Sequence, residues 1–235
     1  MSKLAQADIL VLNGLGLEAF LGSPSARAQR NFIPSTAPRA SPGCSRIRTR
    51  KRRTRSMRGT IMGDEPSPVR QPAHGRADDP FHRGQLADLD PANAATYWAN
   101  AENYARTLDA LADEFAALGG KLKNSRIITQ HGVFDYLARD MGLDVVAVIQ
   151  ADDTQAPSAS DMMKLIKAIR SQHVGAIFTE PQYPDKVAAT LSRETGIATA
   201  KLDPVATGPA IAPLDYYEKT MRANLHTLES TLGTN

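Results

Sequence analysis

Between Arg126 and Leu232 the chain repeats one pattern four times: a short apolar run, a turn, then a stretch with helical spacing. The runs are Arg126–Thr129, Val145–Ile149, Ala176–Thr179 and Ile197–Leu202. The stretches lie near 133–141, 158–171, 184–195 and 215–232. Strands that are apolar on both faces and alternate with helices predict an α/β lobe, a four-stranded parallel sheet flanked by helices. Right-handed crossovers then gather every strand's carboxyl end on one edge. In open sheets of this kind, ligands bind along that edge.

A long helix is expected just before the sheet. Asp90 and Pro91 suit a helix start, one as a cap and the other as a first residue with no amide to lose. Tyr97, Ala101, Tyr104, Leu108, Leu111, Phe115 and Leu118 then recur at alternating spacings of four and three, one apolar seam that stops at Gly119-Gly120. At 1.5 Å per residue the helix is a rod of roughly 40 Å, suited to bracing something larger than the sheet after it.

The segment before the rod obeys different rules. From Ser23 to Gln85 there are 14 Lys and Arg against 4 Asp and Glu, and the run Arg46 to Arg55 carries half of those cations with no apolar register. Such a stretch cannot bury enough surface to offset its ordering entropy, and we read it as disordered. The single cysteine, Cys44, falls inside it, which leaves no intrachain disulfide. No run is apolar for long enough to span a bilayer. The opening residues lack the apolar core of an export signal, so the chain as written is expected to stay where it is made.

The carboxyl ends of the four strands carry the chemistry. They are Gln130-His131-Gly132, Gln150-Ala151-Asp152-Asp153, Glu180-Pro181-Gln182 and Asp203-Pro204. One imidazole and several carboxylates on a shared rim suit a divalent first-row metal, zinc above all. The plainer alternative is capping: Asp, Pro and a lone His are ordinary residues where strands turn into helices. No nucleophile elbow, phosphate loop or paired acid and base is present, so an enzyme is not expected.

Three stretches resemble the zinc-uptake substrate-binding proteins of metal ABC transporters, a cluster with manganese-binding relatives. They are Ala7 to Glu18, Asp90 to Tyr97, and most of the chain from Thr129 to Leu228, including Gln130-His131-Gly132, Thr179-Glu180-Pro181-Gln182 and Leu202-Asp203-Pro204. The resemblance implies two α/β lobes joined by a rigid helix, metal held between them, and delivery to a membrane permease from the periplasm or cell surface. It divides the chain into an N-terminal lobe remnant (1–22), the basic segment (23–85), the linking helix (90–119) and a metal-binding lobe (120–235). It implies His131 and Asp203 as metal ligands, with Glu180 orienting a ligand or bonding metal itself. Gln150 falls where manganese-binding members place a glutamate. With an imidazole present and Gln150 neutral, the resemblance implies Zn2+ rather than manganese.

The chain also departs from the family pattern. Two further histidine ligands belong to the first lobe, and His74 and His82 lack their flanking residues and spacing. The N-terminal lobe is therefore expected to be largely missing or disordered and metal capture defective. The Arg, Pro, Ser and Gly bias of 23–85 fits translation out of frame. Alternatives of another class are nucleic-acid binding through Arg46–Arg58, which lacks aromatic residues and is not favoured, and a non-functional gene remnant.

Overall fold

The computed structural model describes residues 10–11, 32–33, 84, 86–150 and 157–234. The basic run Arg46–Arg58, Cys44, His74, His82, Asp152 and Asp153 lie outside the described residues. The chain forms two compact units, one from residues 1–67 and 78–99, the other from 68–77 and 100–235.

In the first unit β1 (Leu10–Val11) pairs in parallel with β2 (Phe32–Ile33), Leu10 opposite Phe32. Thus the backbone at Phe32–Ile33 is a strand within the segment expected to be disordered; most of that segment is outside the described residues. A 3-10 turn, Pro91–Asn93, leads into α1 (Ala94–Gly119). Asp90 differs from expectation, because its carboxylate makes no cap bond to the main chain. It accepts instead from Asn93 Nδ2 and from the Tyr97 hydroxyl, each at 2.8 Å.

The second unit holds the rest of α1 and all the later elements. These are β3 (Arg126–Thr129), α2 (Asp135–Met141), β4 (Asp144–Val148), α3 (Ala159–Gln172), β5 (Ala176–Thr179), α4 (Lys186–Thr195), β6 (Ala198–Lys201) and α5 (Tyr216–Leu232). The four strands are all parallel, in the order β4-β3-β5-β6. The chain leaves β3 toward one side for β4, then returns across β3 to form β5 and β6 on the other. That reversal makes the gap between the carboxyl ends of β3 and β5 the topological switch point of the sheet.

Side chains alternate across the sheet as strand geometry demands. Ile127, Ala176 and Phe178 face a core built with Leu111, Phe115 and Leu118 of α1, Leu137 and Met141 of α2, and Met221 and Leu228 of α5. Ile128 and Ile177 face the opposite core, with Leu165 and Ile169 of α3 and Leu191 of α4. Burying each of these large side chains contributes about 1.5–3 kcal/mol. The α1 seam is buried at Leu108, Leu111, Phe115 and Leu118, whereas Tyr104, nearer its start, is 39% exposed. At the end of α1 the backbone passes so close to α2 that a Cβ on Gly119 would sit 2.0 Å from the Met141 carbonyl oxygen. Glycine is the residue that fits there. Gly142 and Gly196 end α2 and α4 in the left-handed conformation, at φ 71° and 74°. No helix among the described residues is long and apolar enough to cross a membrane.

Candidate metal centre

His131 and Glu180 sit on either side of the switch point, one just beyond β3 and the other just beyond β5. Both are buried, at 7% and 2% exposure. The His131 Nδ1–H donates to Glu180 Oε1 at 2.7 Å. An ionised carboxylate can only accept, so Nδ1 carries the proton in this bond, and in a neutral imidazole the lone pair is then on Nε2. This is the arrangement in which a carboxylate fixes the tautomer and ring plane of a metal-binding imidazole. Neither side chain serves as a cap. His131 occupies the N-cap of the turn Gly132–Phe134 without a side-chain cap bond, and Glu180 spends its carboxylate on the imidazole.

The pair is held from below. Gln130, itself buried, accepts at Oε1 from the Glu180 amide at 3.0 Å and so fixes the start of the turn that carries Glu180. Its main-chain N–H donates to the Phe178 carbonyl at 2.9 Å, tying the ends of β3 and β5 together. From the other side the ring of Tyr183 packs against the imidazole, with centroids 4.4 Å apart and planes tilted by 56°.

Asp203 stands beyond β6, the strand next to β5. Its main chain is gripped at both ends by one buried amide: its N–H donates to Asn224 Oδ1 at 2.9 Å, and its C=O accepts from Asn224 Nδ2 at 2.8 Å. Its carboxylate is turned by two donors on the same oxygen. The Val205 amide reaches Oδ1 at 2.8 Å in an Asx-type turn, and Gln182 Nε2 reaches it at 3.0 Å. That turn places Val205 at φ 57°, left-handed backbone that a β-branched residue rarely adopts. Both donors fall on Oδ1, and neither reaches Oδ2.

One four-residue turn therefore touches both candidate ligands. Glu180 binds the His131 imidazole, Tyr183 packs on it, and Gln182 holds the Asp203 carboxylate. The structure joins His131 to Glu180 directly, while Asp203 bonds to Gln182, two residues further along the turn that starts at Glu180. Gln150, by contrast, faces inward along the rim: its N–H donates to the Gln130 carbonyl at 2.9 Å and its side-chain oxygen accepts from Gln130 Nε2 at 3.4 Å. Among the described residues no group of three or more His, Cys, Asp or Glu side chains is placed to share an ion.

Sequence reasoning did not assign roles to Gln182, Tyr183 or Asn224. Gln182 and Tyr183 carried no signal beyond their place after a strand. Asn224 carried one: it is the polar member of an otherwise apolar stripe, Tyr217, Met221, Asn224, Leu228, at spacings of four and three along α5.

Comparison with known proteins places these residues in context. The model of the family described as ZnuA, zinc-uptake complex component A, periplasmic, matches residues 82–231. The zinc-binding protein AdcA of Streptococcus pyogenes serotype M6 is 31% identical over 151 residues, 63% of this chain and 29% of its own length. The high-affinity zinc uptake system protein ZnuA of Brucella suis biovar 1 is 30% identical over 148 residues, 63% of this chain and 44% of its own. The chain thus spans less than half the length of these curated relatives. Among solved structures, the substrate-binding protein FpvC of Pseudomonas aeruginosa in complex with Mn2+ superposes with a TM-score of 0.74 at 27% identity, over 98% of this chain and 81% of that one. A crystal structure of ZnuA gives 0.76 at 24% identity, over 99% and 83%, a likeness of fold.

Proposed function

Since the chain belongs to the periplasmic zinc-uptake component A family, we propose that it binds a divalent metal as the substrate-binding component of a metal ABC transporter, with zinc as the preferred cargo. In this reading His131 Nε2 and Asp203 Oδ2 are the ligands contributed by residues 100–235, and Glu180 orients the imidazole. The observation that carries it is the buried His131–Glu180 pair at the switch point, a position and a pairing that favour an imidazole presented to a metal. Imidazole with a single carboxylate suits zinc, and relatives named for zinc uptake support the same cargo. The manganese complex of a neighbour of the same fold keeps manganese as the competing ion.

The protein acts by holding and releasing an ion. Its partner in that reading is a membrane permease, and its place is the periplasm or the cell surface. Tight zinc sites use three or four protein ligands, so His131 and Asp203 by themselves would hold zinc weakly.

Calorimetric titration of the full chain with Zn2+ tests the assignment. Wild-type protein is expected to give a saturable one-to-one isotherm. His131→Ala and Asp203→Ala are expected to abolish it, and Glu180→Gln to weaken it by about 10–100-fold. An isotherm unchanged in His131→Ala would overturn the site.

A further inference from the structure

The Asp203 carboxylate offers about four in-plane lone-pair positions, two on each oxygen. Both positions on Oδ1 are occupied, one by the Val205 amide at 2.8 Å and one by Gln182 Nε2 at 3.0 Å. The amide orientation of Gln182 follows from the same contact, since the opposite one would set two acceptor oxygens face to face. Only Oδ2 keeps its lone pairs for an ion. The other atom of that amide, Gln182 Oε1, is buried and has no hydrogen-bond partner among the described residues.

The count matters because a carboxylate can grip an ion with one oxygen or with two. One-oxygen binding suits four-coordinate zinc, whereas a two-oxygen grip raises the coordination number and adds the oxygen donors that manganese prefers. The Val205 donor is main chain and follows from the turn itself. Gln182 is the side chain that decides whether the second position on Oδ1 is filled.

We propose that Gln182 is a specificity-determining residue of this site, which restricts Asp203 to one-oxygen coordination and thereby favours zinc over manganese. The inference rests on the reading of His131 and Asp203 as ligands. Gln182 acts through Asp203 and is a positioning residue.

The test compares the full-length wild type with Gln182→Met, which keeps the volume and removes the donor, and Gln182→Asn, whose amide stays polar but falls one methylene short. Affinities are measured for Zn2+ and Mn2+ separately, and Co2+ is used as an optical probe. The preference for Zn2+ over Mn2+ is expected to fall about tenfold in both variants, mainly through tighter Mn2+ binding. The visible Co2+ absorption is expected to weaken as its coordination number rises. A variant that loses both metals equally, or keeps the wild-type ratio while His131→Ala still abolishes zinc binding, overturns the role of Gln182 alone. A wild type that binds no Zn2+ overturns the ligand reading and this inference with it. Should Gln182→Met fail to fold, Gln182→Asn carries the same comparison.

Discussion

Asn224 shows how one side chain can set the direction of another without touching its functional atoms. Its amide pairs with both main-chain groups of Asp203, 21 residues away, from a position that is 3% exposed. Asn224→Leu would leave the partly buried N–H and C=O of Asp203 without these partners. The expected cost is about 1–3 kcal/mol, seen as a lower urea midpoint, together with weaker zinc binding. Stability unchanged from wild type would show that Asp203 is held by other means. Residue roles of this kind divide sharply in how readable they are. The places of His131, Glu180 and Asp203 just beyond strand ends were legible because a strand end is local information. The grip of Asn224 on Asp203 was not, since it depends on how the register of β6 meets the rotation of α5. Gln182 was equally hidden, because its meaning is the count of lone pairs on a carboxylate from another strand.

Among the elements, α3 is the one whose start is most fully specified by sequence. Ser158 accepts from the Asp161 amide at 3.2 Å and the Asp161 carboxylate accepts in return from the Ser158 amide at 3.3 Å, a reciprocal capping box. Lys164 adds an ion pair at 2.8 Å. The Lys164 and Ser158 hydrogen bonds pull the Asp161 carboxyl down from 3.8 to about 2. A carboxyl whose folded value lies below its unfolded one stabilises the helix start above the unfolded value and ceases to do so as pH falls through the folded one. The first turn of α3 is therefore expected to hold above pH 3.8 and to fray as pH approaches about 2. Amide exchange at Asp161 and its neighbours measures this, and in Ser158→Ala the acid-dependent step should shrink. The boundaries of the helices followed equally local signals, with glycine stops at Gly142 and Gly196. The Asp90 start followed one only in part: the position was right, but the carboxylate turned to Asn93 and Tyr97 because α1 opens with a 3-10 turn.

At the scale of the whole second unit, one sheet separates two cores that share no buried side chain. Leu228 belongs to the core of α1, α2 and α5, and Leu191 to that of α3 and α4, and each is fully buried. Leu228→Ala and Leu191→Ala should each cost about 2–5 kcal/mol, and the double variant should equal their sum within about 0.5 kcal/mol. Denaturant unfolding of the three variants checks this; a double variant no worse than either single one would mean that the sheet couples its two faces. The sheet and its flanking helices were readable from periodicity because apolar strands between helices admit few other arrangements. The order β4-β3-β5-β6 was not, since periodicity says which residues are buried but nothing about which strand lies beside which.

That order has a consequence for how such a protein can change over generations. Where β3 and β5 release the chain in opposite directions, no crossover roofs the gap between them, and its lining comes from loops that begin independently. One loop can exchange an amide for an acid, or lengthen by a residue, without asking the sheet to re-pair. A scaffold of this kind lets taste for one ion or another drift while the architecture stays put.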